Sequence, residues 1–232
     1  MVEILAWFEV NKNRLLACAG IMLALAFVGY AWNYARNQRE LRSNEALLAL
    51  NVSFNAPTNL PPASSADLLK VANDFPGTKA AERASFLAAS ALFTEGKFAE
   101  AQAKFEKFQT DFPGSRLNAS SAIGAAVALE SQGKTAEALT AYQNFSARYP
   151  ASGVLTQAKF ALARLTEQKN QFAEAYKLYE EIGKAGPFST WVEQAAQRKD
   201  HLLMKHPELA KTNAPLAIKL PPPAGAPPSA TK

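Results

Sequence analysis

Three stretches of this chain repeat one another at a fixed step of 37 residues, a period that narrows the available folds more than anything else in the sequence. Gly96-Lys97-Phe98-Ala99-Glu100-Ala101 is followed by Phe105, Phe108, Phe112 and Pro113. Gly133-Lys134-Thr135-Ala136-Glu137-Ala138 is followed by Tyr142, Phe145, Tyr149 and Pro150, and Asn170-Gln171-Phe172-Ala173-Glu174-Ala175 by Tyr179, Ile182, Gly186 and Pro187. A period of this size marks a stack of supersecondary units, none of which can bury its apolar face alone. One step before the first unit stand Phe75 and Pro76, preceded by Leu68 and Val71 in the matching places. The array therefore opens on a half unit, a second helix lacking a proper first.

Each unit reads as helix, turn, helix. Gly96, Gly133 and Asn170 tolerate the left-handed conformation that ends a helix. Ala101, Ala138 and Ala175 are small enough for close helix–helix contact, and the aromatics beyond them recur at helical spacing. Pro113, Pro150 and Pro187 stop the second helix, and Ser115 and Ser152 cap the next one. Helices are expected over 65–74, 79–95, 98–111, 116–132, 135–148, 154–168, 172–184 and 189–204. The last, amphipathic through Trp191, Val192, Ala195, Leu202 and Leu203, would cap the exposed end of the stack. The expectation is an all-α solenoid over residues 64–205.

Ahead of the array, an uncharged run of eighteen residues begins at Leu15 and ends at Trp32. At ~1.5 Å per residue it covers ~27 Å, close to the hydrocarbon thickness of a bilayer. Lys12 and Arg14 bound one end and Arg36 the other; Tyr30, Trp32 and Tyr34, with Trp7 and Phe8 opposite, stand where interfacial aromatics belong. This predicts a terminal segment over 1–14, a transmembrane helix over 15–34 continuing to residue 50, and a Pro-containing linker up to 63. A cleaved signal peptide is the weaker reading, because the small-x-small triplets fall inside the apolar run. Lipidation at Cys18 is weaker still, since most of the apolar run follows that residue. Cys18 reads as a small apolar residue of the span, and a lone cysteine gives neither an internal disulfide nor a Cys-based zinc site. Charge counting does not orient the span.

Of the net charge of +5, residues 205–232 hold +3, and from 206 to 232 the chain is a Pro-rich tail read as disordered or polyproline II. The array itself is nearly neutral and offers no basic footprint for nucleic acid. His201 and His206, expected to be exposed, are five apart, a poor spacing for one helical face, and Glu180-Glu181 reads as a solvated pair. No catalytic or phosphate-binding motif is present, so neither an enzyme, a cofactor nor a metal is expected.

What remains is binding. The first helix of each unit would line the concave face, which places Arg83, Phe86, Ser90 and Phe93 there, then Ser120, Ile123, Val127 and Glu130, then Gln157, Phe160, Arg164 and Glu167. Phe86, Ile123 and Phe160 occupy equivalent positions. They form either a groove for an apolar or unfolded segment of a partner, or a stripe covered by the chain's own helices.

The small residue, the aromatic and the closing proline resemble the tetratricopeptide repeat (TPR), over about residues 64–187. The bulky residue usual early in its first helix is replaced by Ser85, Ala122 and Lys159. The predicted groove also lacks the Lys/Arg clamp of chaperone-tail TPRs. The junctions Phe112-Pro113-Gly114-Ser115 and Tyr149-Pro150-Ala151-Ser152 resemble the variant of bacterial envelope proteins. The whole layout, with the start from Trp7 to Lys12 and the run from Ser189 to Arg198, resembles the YfgM-like family, ancillary subunits of the Sec translocon; the Pro-rich tail departs from that pattern. The resemblance implies an inner-membrane protein with a cytoplasmic N-terminus and a periplasmic repeat domain. Its implied partners are the SecYEG channel, periplasmic chaperones and unfolded client segments. The alternative is a structural TPR protein of cell-wall or outer-membrane assembly whose tail reaches a partner.

Overall fold

The computed structural model describes residues 2–50, 63–184 and 189–212, with side chains at 20–50, 63–184 and 189–210. The elements are α1 (Val2–Ala49), α2 (Ser65–Asp74), α3 (Lys79–Thr94), α4 (Phe98–Asp111), α5 (Asn118–Ser131), α6 (Thr135–Arg148), α7 (Leu155–Gln168), α8 (Phe172–Gly183), α9 (Thr190–Lys205) and α10 (Leu209–Thr212). No strand occurs among the described residues. Residues 51–62 of the predicted linker, Pro187, the Cys18 side chain and residues 213–232 of the Pro-rich tail lie outside the described residues.

The period reappears as hydrogen bonding. Gly96, Gly133 and Asn170 have φ of +77°, +76° and +61°. At each, two amides turn back onto the helix just ended. Gly96 N–H donates to Phe93 and Lys97 N–H to Leu92; Gly133 and Lys134 donate to Glu130 and Leu129; Asn170 and Gln171 donate to Glu167 and Thr166. These bonds satisfy carbonyls that a helix end leaves without partners. The second turn of each unit repeats as well. The amides of Thr78, Ser115 and Ser152 donate to the carbonyls of Phe75, Phe112 and Tyr149, at 3.3, 2.9 and 3.1 Å.

The chain divides inside α6 into two units, Met1–Ala141 and Tyr142–Lys232. In the first, α2 packs on α3, α3 on α4 and α4 on α5. Its core is small: Ala80, Ala84, Ala88 and Ala101 are fully buried, with Leu68, Leu92, Phe105 and Phe108 filling between them. In the second, α8 packs between α7 and α9, around Phe160, Tyr179, Ile182 and Leu202. The end of this unit differs from expectation. Residues past 206 do not leave the fold at once: α10 adds a turn whose Leu209 is buried in that cluster.

The half unit is completed by α1. Its C-terminal end packs on α2 and α3 and buries Ser43 and Leu47. One step of 37 residues carries Ser43 onto Ala80 and Leu47 onto Ala84, both fully buried. Residues 40–49 therefore stand in the register of a first helix. The helix expected over 15–50 is also longer than the sequence indicated, running from Val2 to Ala49.

Between residues 20 and 37 the helix is uncovered. Ile21, Leu23, Leu25, Phe27 and Val28 are each 60–72 % exposed. Among the described residues no helix is long and apolar enough to cross a membrane. The predicted span starts at Leu15, before the first described side chain.

Candidate protein-interaction groove

In the first unit a depression lies where α3 starts beside the α4–α5 junction. It holds about 690 Å³ and is lined by Lys79, Glu82, Arg83, Phe86 and Leu87 of α3 and by Gly114 to Leu117. Thr78 sets the register of α3. Its side-chain oxygen accepts from the Ala81 amide at 3.1 Å, an N-cap, and its hydroxyl donates to the Phe75 carbonyl at 2.8 Å. The Glu40 carboxylate of α1 accepts the Lys79 amide at 3.0 Å, a favourable place for negative charge.

Within the groove Glu82 ties two elements together. It pairs with Lys79 at 2.7 Å and accepts the Ser115 hydroxyl at 2.5 Å. The Lys79 hydrogen bond first, and the Ser115 bond next, hold its carboxyl below the ordinary carboxylate range. Glu82 is therefore engaged, while the exposed Arg83 and Arg116 have no ion-pair partner among the described residues. The floor is Phe86, half-buried and edge-on to Phe105 and Phe108 at 5.8 Å each. The site combines an aromatic floor with a net positive rim, which suits a segment carrying one apolar and one acidic side chain.

The sequence-predicted residues distribute unevenly. Arg83 and Phe86 line this groove; Ser90 is half-buried with its hydroxyl on the Phe86 carbonyl, and Phe93 packs on Phe98 at 5.1 Å. Ile123 is buried, whereas Ser120, Val127 and Glu130 are half-buried. In the second unit Phe160 is buried against Tyr179 and Trp191, and Gln157 is half-buried. Phe160 and Arg164 line another depression, about 550 Å³, with Gln194, Gln197, Arg198 and His201 of α9. Glu167 is taken up by the Tyr179 hydroxyl at 2.8 Å and by Arg198 at 3.4 Å. Burial, then the Glu167 carboxylate, pushes the Tyr179 hydroxyl pKa up.

Periodicity did not reveal Lys79, Arg116 or Leu117. They belong to a turn and a helix start, not to the apolar stripe; the repeated position of Ser115 was the available signal. His206 is half-buried rather than exposed: it stacks on Phe172 at 4.1 Å and lies 3.1 Å from Glu208. No group of three or more His, Cys, Asp or Glu side chains arranged to hold a metal occurs among the described residues.

Paired helices closed by the same left-handed turn at a fixed step define a TPR-like helical repeat protein. The chain belongs to the tetratricopeptide repeat-like domain family, whose pattern matches residues 5–140, the long first helix included. Among solved structures, the chain is similar to the nearly identical TPR-like repeats of a Podosopora anserina protein described as a kinesin light chain. A point-substituted version aligns over 76 % of this chain and 91 % of that one, at 13 % identity and a TM-score of 0.50. A second structure of those repeats covers 76 % and 96 %, at 16 % identity and a TM-score of 0.46. At such identity the first likeness bears on fold alone. No curated protein matches the chain.

Proposed function

We propose that this protein is a membrane-anchored TPR scaffold that holds segments of other proteins in the groove over Phe86. The observation that carries the reading is the pairing of a half-buried aromatic floor with the exposed Arg83 and Arg116. The exposed apolar turns of α1 support an anchor: apolar surface of that kind in water marks an interface. With the layout described above, this favours an ancillary component of the Sec translocon. It would be single-pass in the bacterial inner membrane, with the N-terminus cytoplasmic and the repeats periplasmic. There it would receive translocated segments beside the SecYEG channel and present them to periplasmic chaperones.

A photo-crosslinking residue at Phe86, in the full chain expressed in a bacterium during export of a secreted protein, tests this. Crosslinks to the emerging chain that R83E/R116E reduces at least tenfold are expected. Crosslinks to neither the channel nor an exported chain would overturn the reading. A reporter fused to Lys232 that is active only inside the cytoplasm should be silent; an active one would remove the periplasmic assignment.

A further inference from the structure

On α1, residues Trp32, Arg36, Arg39, Ser43 and Leu47 succeed one another at steps of three and four and so share one face. Ser43 and Leu47 are buried, seated against α2 and α3. One turn earlier the same face overhangs the turn between those helices. An open cavity of about 460 Å³ results, lined by Trp32, Ala35, Arg36, Arg39, Glu40 and the turn residues 76–78. Glu40 is already occupied by the Lys79 amide. Arg36 and Arg39 are exposed and, among the described residues, have neither an ion pair nor a hydrogen bond. Two guanidinium groups against one carboxylate leave the pocket positive, beside an indole 73 % exposed.

We propose that this cavity binds the phosphate headgroup of an anionic phospholipid. The proposal rests on α1 being the membrane anchor and adds to that reading a defined lipid site. Depth is the first argument. Arg36 lies ~6 Å and Arg39 ~10 Å beyond Trp32 along the helix. A layer of ~5–8 Å of headgroups covers each side of a ~30 Å hydrocarbon core. With Tyr30, Trp32 and Tyr34 at the hydrocarbon boundary, Arg36 falls within the headgroup layer, and Arg39 starts ~2 Å beyond it on a long side chain that leans back toward the helix N-terminus and so toward the phosphates. Chemistry is the second: the planar guanidinium fork matches phosphate oxygens and strengthens where water is partly excluded. The Pro76-Gly77 turn closes the pocket from the protein side, so a headgroup here touches the anchor and the first repeat together.

The full chain is placed in nanodiscs of three parts phosphatidylcholine to one part phosphatidylglycerol, and the lipids it keeps after gentle extraction are weighed by native mass spectrometry. Flotation with pure phosphatidylcholine vesicles reports the anchor separately. Enrichment of phosphatidylglycerol is expected, falling about fivefold for R36Q or R39Q alone and on the order of thirtyfold for both, at unchanged flotation and melting temperature. R42Q removes the same charge from elsewhere on the helix and should keep the enrichment. Inorganic phosphate at constant ionic strength should leave it intact. A chain that floats without enrichment, or loses it equally with R42Q, overturns the headgroup site and leaves the anchor standing. Enrichment abolished by inorganic phosphate would mark a free-phosphate site and overturn the lipid assignment. A chain that floats with no vesicle overturns the anchor and this site with it.

Discussion

At Glu95 three donors meet one carboxylate. The Lys97 ammonium lies at 2.8 Å, and the amide and hydroxyl of Ser65, which opens α2, lie at 2.9 Å each. Together, the Lys97 bond first, they hold its pKa at about 2. A folded-state value below the unfolded one gives a contribution complete above about pH 4.5 and lost as pH falls toward 2. E95Q should therefore melt below the parent chain at pH 6, with the deficit closing between pH 4.5 and 2; a deficit constant across that window would contradict the assignment. Gly124 makes a steric point. A Cβ there would sit 2.7–2.9 Å from three ring carbons of Phe105, whose ring is edge-on to Phe86. Gly to Ala inside a helix normally gains about 1 kcal/mol, but overpacking costs about 1–3 kcal/mol. G124A should lose about 1 kcal/mol net in urea unfolding and shift Phe86 in the groove. A gain of about 1 kcal/mol would mean that the Phe105 ring yields freely.

At the scale of elements, α1 has two roles along one continuous helix: an uncovered apolar length, and a docked end serving as first helix to the half unit. Docking depends on Leu47, buried among Leu68, Val71, Ala80 and Ala84. Truncating a buried leucine costs about 2–5 kcal/mol, partly through the cavity left behind. L47A should fall near the low end of that range, because alanines can shift inward, and should show as an earlier unfolding midpoint. A loss under 0.5 kcal/mol would mean that α1 is not integral to the first unit.

For the molecule as a whole, the division of α1 predicts how the chain tolerates shortening. Removing residues 1–33 leaves Glu40, Ser43 and Leu47 in place, and the remaining chain should keep its melting temperature and gain solubility. Removing residues 1–50 uncovers the core around Leu68, Val71 and Ala80 and takes the Glu40 carboxylate from the start of α3. That chain should melt about 10 °C lower, corresponding to about 3 kcal/mol or more for a protein of this size. Scanning calorimetry of the two truncations decides the matter, and equal melting temperatures would show that the docked end of α1 adds nothing to the stability of the first unit.

The repeat step, the left-handed helix ends and the small residues at helix contacts were legible in the sequence because each is a local requirement, whereas Ser115 and Ser152, expected to cap α5 and α7, instead accept the Leu117 and Val154 amides in the turn before each helix, which starts without a side-chain cap. A left-handed turn selects Gly or Asn at 96, 133 and 170, and a proline beyond the first turn cannot continue a helix without losing a backbone hydrogen bond. Helices at 65–74, 98–111 and 135–148 appear with those bounds. Phe86 and Arg83 could be placed by periodicity, since residues of one helical face keep a fixed spacing. Tertiary packing decided the rest. Whether Phe86, Ile123 and Phe160 meet solvent depends on what lies against each, and only the fold shows Phe86 half-buried with the other two buried. It took the fold as well to bring Glu82 onto Ser115, 33 residues away, and Lys79 onto Glu40, 39 away, contacts that no local pattern encodes. The sequence determined a stack of helix pairs because its information is periodic and local; the tertiary structure chose the groove and gave α1 its second role, because both depend on which surfaces remain after the helices have packed.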